Sequence, residues 1–146
     1  MGERLRPLAN TLTGVDLSAS MLEKAGQRGV YDRLVCSDFH EFLRLQNNPF
    51  DLAVAADVLV YIGDLSPLFA QVRRALNDAG RFCFSVEATQ GDAFVLQDTF
   101  RYAHSATYLR SLAAQSGFVL ERITSEVIRQ ESDTDVEGYL AIMRRA

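Results

Sequence analysis

The chain has 146 residues, 48% hydrophobic and 23% charged, with a formal charge of −4; this is enough for one globular core and supplies no basic face for nucleic acid or an anionic membrane. Lys24 is the only lysine beside fourteen arginines, and no Tyr-x-x-x-Lys pair, P-loop or Schiff-base pattern surrounds it. Cys36 and Cys83 lie in apolar runs and are expected as small buried thiols, not as a disulfide framework or a metal site. With no 18-residue apolar stretch and no leader pattern in the sequence, a cytoplasmic location is expected.

Residues 2–10 read as the end of a helix with Pro7 in its first turn or at a kink. Residues 12–16 form a short strand ending in Asp16, followed by a helix capped by Ser18 or Ser20 and closed near Gly29, with Met21, Leu22 and Ala25 on its apolar face. A strand over 33–37 leads to Asp38 and a helical turn bearing Phe39, Phe42 and Leu43. The continuous apolar run 50–56 predicts a parallel strand buried on both faces. After the loop 57–64, Ser66 and Pro67 fit N-cap and first helical position of a helix whose buried stripe is Leu68, Phe69, Val72 and Leu76, closed by Gly80. A strand over 81–86 ends beside Glu87, a loop-rich connection reaches Ser105, and a helix from there stops at Gly117. Residues 118–129 and 136–144 predict two strands joined by the polar stretch 130–135, too short for a crossover, hence an antiparallel hairpin.

Several of these segments carry a familiar pattern. Gly14-Val15-Asp16-Leu17-Ser18 with Met21-Leu22 and Ala25, Ser37-Asp38-Phe39, Phe50-Asp51-Leu52 leading to Asp57, and Arg74 to Phe82 together resemble the class I S-adenosylmethionine-dependent methyltransferases. The runs 55–65 and 101–105 further resemble the methyltransferase domain of bacterial tetratricopeptide-repeat methyltransferases. The resemblance implies an α/β, Rossmann-like sheet, mostly parallel with a C-terminal antiparallel hairpin. Two departures are visible: Asp78-Ala79 stands where the family has Pro-Gly, and the family's first strand and glycine-rich loop have no counterpart. The expectation is therefore a single methyltransferase domain over 1–146, N-terminally truncated, which associates with itself through an exposed sheet edge.

The resemblance also assigns roles. Methyl transfer needs alignment of an acceptor behind an activated methyl group and exclusion of water, and it demands no metal. Cofactor contacts are expected from Asp16 (ribose hydroxyls), Leu17, Asp38 (adenine amino group), Phe39, Asp57 and Val58, and an acceptor pocket from Tyr61, Glu87 and Tyr102. His104 is the candidate general base. Plainer alternatives stand beside each: Asp16 as a helix-dipole acid, Asp38 and Asp57 as turn residues, Glu87 as a surface acid, His104 packed at a helix entry. The expected activity is methyl transfer from S-adenosylmethionine to a small-molecule acceptor, with no nucleic-acid or membrane partner. A non-catalytic relic and a nicotinamide-dependent oxidoreductase are the alternatives.

Overall fold

The computed structural model describes residues 1–47 and 49–146. They form two compact units, Met1–Gln46 and Asn47–Ala146.

In the first unit a short helix α1 (Gly2–Leu5) runs into a 3₁₀ turn at Arg6–Leu8, with Pro7 at its start, where its missing N–H costs nothing. Strands β1 (Thr13–Asp16) and β2 (Arg33–Cys36) pair in parallel, Asp16 opposite Cys36. Helix α2 (Ala19–Gln27) crosses between them, and α3 (Phe39–Leu45) follows β2. Side chains start both helices: Ser18 Oγ accepts the Met21 N–H, and the Asp38 carboxylate accepts the N–H groups of His40 and Glu41. Gly29 takes φ of 64° just past α2, the left-handed position that glycine adopts without strain. Burial here is sparse. Among the described residues of this unit Gly2 and Phe42 alone are buried, Met21 is 52% exposed on α2, and Cys36, expected inside, is exposed at the end of β2, which pairs with β1 alone.

The second unit holds, among its described residues, one six-stranded sheet with two helices. It contains β3 (Phe50–Ala55), α4 (Ser66–Ala75), β4 (Leu76–Ala88), β5 (Phe94–Leu96), β6 (Tyr102–His104), α5 (Ala106–Gln115), β7 (Phe118–Glu131) and β8 (Thr134–Arg145). The order is β5-β6-β4-β8-β7, with β3 also on β4. β4 runs parallel to β3 and β6 and antiparallel to β8, so this sheet is mixed, and β7 and β8 form the expected C-terminal antiparallel hairpin. The core forms around Phe69 of α4, whose ring meets Phe82 and Phe84 of β4 and Phe118 of β7 edge-on at 5.5 to 5.7 Å. Ser105 caps α5 as expected, its Oγ accepting the Tyr108 N–H at 3.0 Å.

Four expectations are corrected. The helix expected to reach Gly80 ends at Ala75, and Leu76, at helical spacing from Val72, already belongs to β4 with no exposed surface. Its N-cap is Leu65, and Asp64 supplies the capping carboxylate to Ser66. The stretch before Ser105 holds two short strands, β5 and β6. β3, expected to be buried on both faces, leaves Leu52 and Val54 about two-fifths exposed, because among the described residues it pairs with β4 alone.

Inside β4 the ladder skips: Phe50 faces Leu76 and Leu52 faces Arg81, so residues 77–80 bulge out against Asp51. Asn77 Nδ2 donates to Asp51 across the bulge at 2.7 Å. Ala79 in it carries φ of 59° and is exposed. A left-handed alanine costs about 1–2 kcal/mol, and glycine returns roughly 0.5–1 kcal/mol of that in unfolded-chain entropy. Ala79→Gly should therefore raise the unfolding free energy by about 0.5–1 kcal/mol in urea melts. An unchanged or lower midpoint would show that the bulge does not hold that conformation. The β7–β8 turn has the same character, with Ser132 and Asp133 at φ of 49° and 62°. Asp133→Gly should give a smaller gain, because aspartate tolerates this region better than alanine, measured in the same way.

Candidate active site

In the first unit, parallel β1 and β2 end side by side, which brings two of the expected acids to one edge. The Ser37 N–H donates to the Asp16 carbonyl at 3.1 Å, and Asp38 follows directly. Asp16 is exposed; its Oδ1 accepts the Ser18 N–H at 2.8 Å, so it shapes the turn into α2 while its carboxylate stays open to solvent. Leu17 beside it is 69% exposed. Asp38 is occupied as the N-cap of α3, and the Phe39 ring lies 4.3 Å from that of His40.

In the second unit β3, β4 and β6 are mutually parallel, so Asp57, Glu87 and His104 all fall at the carboxyl end of the sheet. Asp57 has φ of 56°, in the region where Asp is tolerated better than most residues, and its N–H donates to the buried Ser85 Oγ at 2.9 Å. Its carboxylate meets the Arg129 guanidinium at 2.6 Å. Arg129 also binds Glu87 through a second nitrogen and Glu131 at 3.4 Å. Glu87 is thus no surface acid: only 5% of it is exposed, and Gln97 Nε2 donates to its other oxygen at 2.5 Å. Burial works against the charge on Arg129, but the carboxylates of Glu87 and Asp57 outweigh it and hold the guanidinium above its ordinary range.

No local pattern in the sequence points to Arg129, which lies 72 positions from Asp57. A bulge puts it there. The β7–β8 register shifts between Val127 and Arg129, so Arg129 rather than Ile128 stands opposite Val136, on the face that carries Glu87. A cleft of about 300 Å³ opens beside the pair, walled by Glu87, Gln97, Thr99, Arg129, Glu131 and Glu137. Tyr61 and Tyr102 do not line it. Tyr61 is 68% exposed and bonds with Arg101, while Tyr102 packs edge-on against Phe94.

His104 departs furthest from expectation. It has no exposed surface, Nε2 is 2.9 Å from the Gly63 carbonyl oxygen, and the ring stacks on Tyr108 with centroids 5.9 Å apart. Burial lowers its pKa. A base must reach the proton it removes, and in this conformation the imidazole is closed to any substrate. No His/Cys/Asp/Glu group able to hold a metal occurs among the described residues, and no described helix is long and apolar enough to cross a membrane.

A family model described as a methyltransferase domain matches residues 2–84, more than half of the chain. A sequence search of curated proteins returns no significant match. Among solved structures, the N-methyltransferase NodS from Bradyrhizobium japonicum WM9 in complex with S-adenosyl-L-homocysteine aligns with TM-score 0.74 at 21% identity, over 98% of this chain and 70% of that one. A S-adenosylmethionine-dependent methyltransferase from Methanosarcina mazei aligns at 0.72 and 13% identity, over 99% and 86%. Magnesium protoporphyrin IX methyltransferase from Synechocystis PCC 6803, solved with bound S-adenosylmethionine, aligns at 0.70 and 17%, over 98% and 63%. These likenesses establish the α/β Rossmann-like fold, and the family match over residues 2–84 makes the conclusion direct: the chain belongs to the methyltransferase-domain family.

Proposed function

We propose that the chain transfers the methyl group of S-adenosylmethionine to a small-molecule acceptor, with Asp16 and Leu17 at the ribose, Asp38 and Phe39 at the adenine, and Asp57 and Val58 toward the methionine end. The observation that carries this reading is the pair of acids at the adjacent carboxyl ends of β1 and β2. Ligands of open α/β sheets bind at that edge, where strand-end acids accept hydrogen bonds from ribose hydroxyls. The residues suit the group. Asp16 is exposed and ends its strand, and Leu17 offers an open apolar surface next to it.

When bound, S-adenosylmethionine supplies a methyl carbon already activated by the sulfonium. What remains for the protein is to bind, orient and exclude water. On the acceptor side, Glu87 and its ion pair with Arg129 form one wall of the cleft and present fixed charge to polar groups of a small molecule. Tyr61, exposed on the neighbouring loop and outside this cleft, is the remaining acceptor contact on this reading. Glu87 and Glu131 are both engaged by Arg129, so on this reading they orient the acceptor and do not take its proton.

Isothermal titration of S-adenosylhomocysteine tests the ribose assignment. Loss of a hydrogen bond to a charged group is worth about 1.5–3 kcal/mol, so Asp16→Ala should weaken binding by roughly ten- to 150-fold. Asp16→Asn keeps an acceptor for the Ser18 N–H and should weaken binding with the turn intact. Wild-type affinity in both variants would remove Asp16 from the cofactor site.

A further inference from the structure

The loop from Ala56 to Leu65 carries Asp57, Val58 and Tyr61, and its two ends are held in different ways. At the start Arg129 binds the Asp57 carboxylate. At the far end four aromatic side chains from β5, β6 and α5 close on Gly63 and its neighbours. His104 Nε2 lies 2.9 Å from the Gly63 carbonyl oxygen, with the Ile62 carbonyl as a lesser contact. Tyr108 OH accepts the Leu65 N–H at 2.9 Å and donates to Asp64 Oδ1 at 3.2 Å. That same oxygen caps α4 through the Ser66 N–H and hydroxyl, at 2.9 and 2.7 Å. Gly63 leaves no room for a side chain: a Cβ there would stand 2.8 Å from Tyr102 Cε1 and 2.9 Å from Phe94 Cε2. The loop backbone therefore lies against the rings.

Chemistry fixes the tautomer. A carbonyl oxygen only accepts, so Nε2 carries the proton, and Nδ1, which has no hydrogen-bond partner among the described residues, keeps a bare lone pair. Putting a second proton on Nδ1 would create an unpaired charge in a buried ring packed against Phe94 and Tyr108. A buried, partly unsatisfied imidazole is costly unless it holds something in place.

We propose that His104 is a positioning residue for methyl transfer: its Nε2–H holds the Gly63 carbonyl and so fixes the loop bearing Asp57, Val58 and Tyr61, without exchanging protons with substrate. The proposal rests on the reading that this loop serves the cofactor and the acceptor. Its signature differs from that of a base, which would titrate near its ordinary pKa of about 6.5 and reach solvent.

The test uses the full chain labelled with ¹⁵N. A long-range nitrogen–proton spectrum, with His104 assigned by its loss in His104→Gln, should show the Nε2–H tautomer at neutral pH, with any titration displaced below the ordinary histidine value by burial. Amide exchange then reads the loop. His104→Leu removes the donor, and Gly63→Ala pushes the backbone off the Tyr102 and Phe94 rings from the other side; each should speed exchange at residues 61–64 by about tenfold or more, the equivalent of one net hydrogen bond. Strand β4 amides over 82–86 should stay as protected as before, and His104→Gln, which can still donate to Gly63, should stay within about threefold. The two loosening variants should weaken S-adenosylhomocysteine binding by a similar factor, with His104→Gln close to wild type. A His104 that titrates near neutrality, a loop indifferent to both substitutions, or a loosened loop with unchanged affinity would each overturn the proposal. If His104→Leu fails to fold, Gly63→Ala and His104→Gln carry the same comparison. Failure of the unmodified chain to bind S-adenosylhomocysteine counts instead against the cofactor assignments above, so the two readings fail separately.

Discussion

The Arg129 guanidinium organises the carboxyl end of the second unit, because it binds carboxylates from three places in the chain: Asp57 after β3, Glu87 near the end of β4, and Glu131 at the end of β7. Such a network is weak evidence for stability, since desolvating charges of this kind offsets much of their attraction. Its effect is geometric. With Glu87 buried and Gln97 on its second oxygen, few arrangements of the hairpin satisfy all the partners at once. Any register in which Ile128 replaced Arg129 there would leave the buried Glu87 carboxylate without its counter-charge, at a cost above that of the one-residue bulge.

This constraint works together with the one at Gly63. The loop after β3 cannot be held by ladder hydrogen bonds, yet its short 3₁₀ turn at Leu59–Tyr61 buries Leu59 and Val60 almost completely. Two apolar anchors in the middle, an ion pair at Asp57 and a carbonyl bound at Gly63 hold the loop while Val58 and Tyr61 stay exposed. A rigid loop offering a few open side chains suits a reaction whose catalysis is mostly alignment. His104 belongs to the holding part, and a histidine in that role needs no titration at working pH.

What could be read from the sequence was local. Ser18, Asp38 and Ser105 announce helix starts because a cap is a contact over two or three residues, and Gly29 and Gly117 mark ends because only the left-handed backbone is needed there. Asp16 and Asp38 were legible as strand-end acids for the same reason. The misreadings arose where distant contacts decide. Leu76 continues the helical stripe of Leu68, Phe69 and Val72, but its burial comes from β4, and residues 77–80 bulge out of that strand instead of prolonging α4. β5 and β6 are three residues each, too short to show alternation, and exist because β6 pairs with the end of β4. Arg129 was invisible because its importance depends on a bulge in a ladder whose register no local pattern states. For His104 the sequence offers a base or a packed ring at a helix entry, and it does not show the burial or the Gly63 carbonyl that Nε2 meets.

The first unit shows how far local signals go without a core. Its helices have good caps and its strands pair in register, but over 46 residues only Gly2 and Phe42 are buried. Units of that size rarely stand on apolar burial alone. Polar contacts supply part of what the core lacks. Arg6 binds Asp32 at 2.6 Å and the carbonyls of Val30 and Asn10, and Asp32 in turn accepts the Leu12 N–H, which ties the chain before β1 to the turn before β2. Arg6 and the Leu12 N–H hold the Asp32 carboxyl below its usual range. These links are exposed, so each contributes little and weakens with salt. The acids that the cofactor assignment needs, Asp16 and Asp38, therefore sit on the least buried part of the molecule. A bound nucleoside that bridged the ends of β1 and β2 would stabilise that part by mass action, through the same contacts that hold the ligand.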